Sequence, residues 1–232
     1  MNCSLTLVLL GSLAFSQIAI AQQIGLLDLT TAIEKDRLRE PEGMGGVSCG
    51  SSDHTDYPEV AISLTSLDRT QYALGEDVRF EVKIQNVGKD PVVLPWAENV
   101  ADFEPQDPAV QYSYREGTVS LRIGSVEENF LIFSSFYGST ERPESLKVLR
   151  RGEWVTVRGR TQLTTSDDWV FKRFRNNTLV NTQVKPDLML NKVTFQPRGK
   201  NGKPTEESSC VNVRTRSMNQ LPVTIFPPLN SH

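Results

Sequence analysis

Histidine is almost missing from this chain of 232 residues, which holds only His54 and His232. That scarcity removes the usual general base and the usual metal ligand. His54 lies in Asp53-His54-Thr55-Asp56, a spacing that matches no zinc site, and His232 is the last residue. No Gly-x-Ser-x-Gly elbow accompanies a histidine, so a serine triad has no support. No glycine-rich phosphate loop occurs. The adjacent acids Glu127-Glu128, Asp167-Asp168 and Glu206-Glu207 would point to opposite faces of a strand, unlike a glycosidase pair. The sequence therefore predicts no catalytic, cofactor or metal residues. Beyond residue 21 no apolar run is long enough to span a bilayer. Linkers of Ser/Gly/Pro composition and internal repeats are absent too.

Charge of one sign is not in excess either. The net charge is -3, yet residues 1–116 hold 8 Lys/Arg and 18 Asp/Glu, while residues 117–232 hold 17 and 10. The basic residues are scattered rather than blocked, so the two halves are expected to pair within one domain. Lys172-Arg173-Phe174-Arg175 is the single basic-aromatic patch, too short to predict a nucleic-acid partner.

What is present begins at the amino terminus. Met1 to Ala21 carries no charged residue, and Leu5 to Leu13 is an apolar run that leads to Ala19-Ile20-Ala21. This reads as an export signal cut after Ala21, which gives a secreted or periplasmic chain with no membrane span. Three cysteines occur, and Cys3 would leave with the signal. The remaining pair, Cys49 and Cys210, reads as a disulfide in an oxidising compartment. A loop of that length is worth about 5 kcal/mol in the chain-entropy model.

Residues 22–58 read as a leader segment with a short helix from Thr31 to Arg39, marked by the Thr31-to-Glu34 capping spacing. From Glu59 the period changes to two. Val60, Ile62 and Leu64 alternate with smaller or polar residues, and Val78, Phe80, Val82 and Ile84 alternate with Arg79, Glu81, Lys83 and Gln85. Such alternation predicts half-buried strands. Further strands are expected over Val92–Leu94, Phe130–Tyr137, Trp154–Val157, Leu188–Phe195, Cys210–Val213 and Leu221–Phe226, with Pro222 suggesting an edge. Trp169–Phe171 is a short candidate. Val110–Tyr114 and Val119–Ile123 read as a hairpin turning at Glu116-Gly117. Ala97–Ala109 reads as a long connection and Pro197–Ser209 as a polar loop. The sum is an all-β, antiparallel β-sandwich over residues 59–232, with residues 138–187 as a possible insertion.

The segment Tyr72-Ala73-Leu74-Gly75-Glu76-Asp77 through Asn86-Val87-Gly88-Lys89-Asp90 to Pro95 resembles the opening hairpin of exported bacterial immunoglobulin-like domains. Cell-adhesion-related modules and BsuPI-type proteinase inhibitors are among them. Leu149-Arg150-Arg151-Gly152-Glu153 is similar to a later turn of the same domains. The resemblance implies an immunoglobulin-like fold. The functional expectation is a non-enzymatic recognition module binding a protein through an apolar patch or an unpaired edge strand. The alternatives are a carbohydrate-binding module that uses Trp96, Trp154, Trp169, Tyr112 and Tyr114, or a proteinase inhibitor presenting residues 97–109 or 197–209.

Overall fold

A computed structural model describes residues 21–31, 57–103, 107, 109–123, 130–165, 179–197 and 205–228. Among them there are fourteen strands, two short 3-10 turns and no α-helix. One sheet has the order β1 (Gln23–Asp28), β9 (Trp154–Gln162), β4 (Asp77–Asn86), β2 (Glu59–Leu67), β13 (Arg214–Ser217). A second sheet has the order β10 (Thr164–Thr165), β7 (Phe130–Gly138), β6 (Tyr112–Ile123), β11 (Val180–Gln196), β14 (Leu221–Phe226), β3 (Gln71–Ala73). Strand β12 (Thr205–Cys210) adds to the far half of β11. Strands β5 (Val92–Pro95) and β8 (Leu146–Leu149) form a separate two-stranded sheet whose Val92, Leu94 and Leu149 enter the main core.

The alternating residues do what their period demands. Val78, Phe80, Val82 and Ile84 of β4 are buried, and they share one core with Val60, Ile62 and Leu64 of β2 and Val155 and Val157 of β9. Val119, Leu121 and Ile123 of β6, Leu188 of β11 and Ile225 of β14 enter that same core from the second sheet. The solvent side of the first sheet is polar. Arg158 pairs with Glu81 at 2.9 Å and Arg160 pairs with Asp77. Exposed pairs of this kind keep the face soluble and add little stability.

The two segments that carry the family resemblance meet in space. Buried Asn86 donates from Nδ2 to the Asp90 and Leu149 carbonyls, both at 2.8 Å, and its Oδ1 accepts the Gly88 N–H at 2.9 Å. Its backbone pairs with the other turn, Asn86 N–H to Glu153 O and Gly152 N–H to Asn86 O. Gly75 and Gly152 hold the positive φ that each turn requires (95° and 83°). Tyr72, fully buried, locks the turn before β4. Its hydroxyl accepts the Arg69 N–H at 3.1 Å and lies 2.7 Å from the Arg69 carbonyl and 2.8 Å from Asp68 Oδ1.

Several expectations are corrected. The sheets are not wholly antiparallel, because β1 runs parallel to β9, β13 to β2 and β14 to β3. Side-chain period is the same in both arrangements, so alternation does not reveal the direction of pairing. Residues 23–28 are a strand of the sheet rather than part of a leader. A register shift between Gln23 and Gly25 breaks the alternation that would have marked them. Of the expected Thr31–Arg39 helix, Thr31 is a turn and the rest lies outside the described residues.

Glu116-Gly117 is not a turn. It lies inside the unbroken strand β6, where Gly117 pairs with Leu190 on one side and Phe136 on the other. A Cβ at Gly117 would stand 2.4 Å from Phe136 Cζ, so the glycine clears space for the ring. Residues 138–187 do not form an insertion, since β9 is interior to the first sheet and the first half of β11 pairs with β6 and β14. Strand β11 was masked by Pro186, which falls between the stretches paired to β14 and β12. Residues 205–210 extend the sheet instead of the 197–209 loop. Pro222 lies on β14 before the Thr224–Phe226 stretch that pairs with β3, so β14 has one neighbour there.

Candidate functional site

The strand β1 starts one residue past the expected processing position. Leu27 and Leu29 are buried in the core, and the Leu29 N–H donates to the Arg158 carbonyl at 2.9 Å. Gly25 makes room for Trp96: a Cβ there would approach the indole Cζ2 to 2.8 Å. Trp96 thus braces β1 from the core side. Leu26 points the other way and is 47% exposed. Asp28 is held below the usual carboxylate range, first by the Thr30 hydroxyl at 2.5 Å, then by the Thr30 N–H, with Arg158 adding a favourable charge.

Strand β1 ends its sheet, and no described residue pairs with its outer side. Sheet edges invite pairing by other chains, and proteins ordinarily guard them. The other described edges carry guards. Strand β13 presents exposed Arg214 and Arg216, and β12 presents exposed Glu207. Strand β3 has three residues and β10 has two. Strand β7 is met by β10 at one end and by Ala97, bridging Tyr137, at the other. Strand β5 follows Pro91 and ends in Pro95, and β8 carries Lys147. Strand β1 runs Gln-Ile-Gly-Leu-Leu without charge or proline until Asp28.

The aromatic residues divide differently from the expected platform. Trp96 is half-buried, with Lys147 Nζ 5.4 Å above its ring, and Trp154 is half-buried under Lys83 Nζ at 4.9 Å. Trp169 lies outside the described residues. Tyr112 and Tyr114 are stacked, with centroids 6.2 Å apart and planes at 25°, but Tyr114 is buried. Together with Phe103, Tyr137 and Val193 they form a second small core on the far side of β6. Tyr112 also meets Phe195, its partner across to β11, at 5.0 Å. The sequence does not show this cluster because Phe103 lies in the stretch that reads as a long connection.

The described part of that stretch is tied down at residues 97–103, while residues 104–106 and 108 lie outside the described residues. Ala97 exchanges two backbone hydrogen bonds of 2.7 Å with Tyr137, a 3-10 turn spans Val100–Phe103, and Phe103 is buried. Of the 197–209 loop, residues 198–204 lie outside the described residues.

Cys210 ends β12. Cys49, His54, His232 and the Lys172–Arg175 patch lie outside the described residues. Among the described residues no cluster of His, Cys, Asp and Glu fits a metal ion, and no helix is long and apolar enough to cross a membrane. The fully buried polar side chains described are Asn, Ser and Thr, besides the tyrosines.

No family model matches the chain, and no curated protein matches it. Among solved structures, the chain is similar to the sporulation control protein Spo0M of Bacillus subtilis at 13% identity, over 68% of this chain and 50% of that one, with a TM-score of 0.23. It is similar to the CARDB domain of a Pyrococcus furiosus protein at 10% identity, over 69% and 96%, with a TM-score of 0.19. A type II cohesin domain from the cellulosome of Acetivibrio cellulolyticus aligns at 12% identity, over 72% and 95%, with a TM-score of 0.19. The chain spans half the length of Spo0M, and likenesses at these scores carry no inference about what this chain does.

Proposed function

We propose that this chain is an exported, non-enzymatic recognition module of the immunoglobulin-like β-sandwich type. It works at the periplasm or cell exterior and binds a protein partner by strand addition at β1. The observation that carries the reading is the contrast among the edges: β1 alone, among those described, is several residues long, has neither charge nor proline before Asp28, and is met by no described strand or bridge on its outer side. In strand addition, main-chain hydrogen bonds supply affinity and alternate side chains supply selectivity. The partner is therefore an extended, uncharged segment of another exported protein, with an apolar side chain placed against Leu26. The turn locked by Tyr72 supports the immunoglobulin-like reading, because a tyrosine hydroxyl bonded to backbone a few residues upstream is a hallmark of such sandwiches. The Cys49–Cys210 bridge belongs to the same proposal and fits an oxidising compartment.

The test is site-specific photo-crosslinking in the producing cells. A benzophenone amino acid at Leu26 should give one discrete adduct, and mass spectrometry of it should map the crosslink to an extended segment of a single protein. The same group at Arg216, on the guarded edge β13, should not give that adduct. Identical adducts from both positions, or none from Leu26, would refute docking at β1. Alkylation of the native chain with iodoacetamide checks the bridge: two cysteines modified without reductant would refute it.

A further inference from the structure

We propose that Gln22 becomes a pyroglutamyl residue, closing the amino terminus of the exported chain as a lactam and leaving the start of the β1 edge, up to Asp28, without charge. This rests on the export reading, in which processing after Ala21 makes Gln22 the first residue. Gln22 is exposed, and its carbonyl oxygen accepts the Trp154 N–H at 2.9 Å. That bond fixes the carbonyl side of the residue to β9. It leaves the amine and the side chain in solvent.

A glutamine with a free α-amine carries its own electrophile. The Nα lone pair adds to Cδ of the side-chain amide. Nα then gives up a proton, the Cδ–Nε2 bond breaks, and the side-chain nitrogen leaves as ammonia. One C–N bond forms and one breaks, nothing is oxidised or reduced, and no co-reactant is required. The amine must be neutral, and with an ordinary pKa of about 7.7–8.0 a usable fraction is neutral near pH 7. The Gln22 carbonyl is outside the new ring, so its bond to Trp154 survives the reaction.

The consequence falls on the edge. An ammonium one residue before β1 would be a charge at the start of the strand, the kind of guard that β13 carries in Arg214 and Arg216. Ring closure removes it and also removes the amine that aminopeptidases need.

The experiment is mass spectrometry of the amino-terminal peptide of the secreted full chain, beside the Gln22→Ala variant. The expected peptide begins at residue 22 and is lighter than its glutaminyl form by one ammonia. It should resist Edman degradation until treated with pyroglutamyl aminopeptidase, while Gln22→Ala sequences directly. A peptide that begins at Gln22 and keeps its ammonia after prolonged incubation at neutral pH overturns the cyclisation and leaves the export reading standing. A peptide that begins elsewhere overturns both.

Discussion

Replacing Gly117 with alanine tests whether β6 is one strand or two. In the structure the new methyl group would sit 2.4 and 2.5 Å from two ring carbons of Phe136, whose side chain is fully buried. The ring has no room to retreat, and overpacking of this kind costs about 1–3 kcal/mol. Alanine is better than glycine in a strand by about 0.5–1 kcal/mol, which offsets part of the cost. A clash this close belongs near the top of the range, so the net loss should be about 2 kcal/mol. With a urea m-value of about 3 kcal/mol/M for a chain this long, the unfolding midpoint should fall by roughly 0.7 M. The decisive arm is the double variant Gly117→Ala/Phe136→Leu. Its cost should fall short of the summed single costs by more than about 0.5 kcal/mol, because the smaller side chain vacates the space the methyl needs. Additive costs, or an alanine variant as stable as the parent, would refute the account of β6.

Asn86→Ala removes three side-chain hydrogen bonds and leaves the Leu149 carbonyl buried without its donor, so it should cost about 3 kcal/mol in urea unfolding. Ser134→Ala should be neutral or stabilising by up to about 1 kcal/mol, because its buried hydroxyl has no hydrogen-bond partner; a loss above that size would show an interaction the structure does not contain. Burial, and the Asp68 carboxylate beside it, push the Tyr72 phenol above its ordinary value. A raised folded pKa gives stability that is complete below the unfolded value of about 10 and is lost as pH rises past it. Urea midpoints measured across that window should fall more steeply for the parent than for Tyr72→Phe, and parallel curves would contradict the assignment.

Much of the fold was legible wherever one face of a strand is buried and the other wet. Strands β2 and β4 follow directly from the alternation of Val60–Leu64 and Val78–Ile84, and the turns at Gly75 and Gly152 from their glycines. What stayed hidden has physical causes. Glycine marks both turns and close approaches, so Gly117 reads as the first when it is the second. The first half of β11 holds Thr182, Gln183, Lys185, Pro186 and Asp187, residues that signal loops unless a neighbouring strand is already in place. Strand β1 combines a register shift with Gly25, whose missing side chain is explained only by the indole of Trp96, far along the chain. The candidate edge was therefore invisible in sequence, although the kind of feature to look for, an unpaired strand, was not. The surroundings of the tryptophans were hidden for a similar reason, and Trp169 lies outside the described residues. Sequence names the rings, but the lysines above Trp96 and Trp154 are brought there only by strand pairing.

Residue-resolved amide hydrogen exchange across Gln23–Asp28 of the isolated protein tests the open edge most directly. Amides bonded to β9 should be protected, while those on the outer side should exchange at rates close to those of free peptide, in alternation along the strand. Uniform protection through β1 would mean that something already covers this edge, and it would contradict strand addition there.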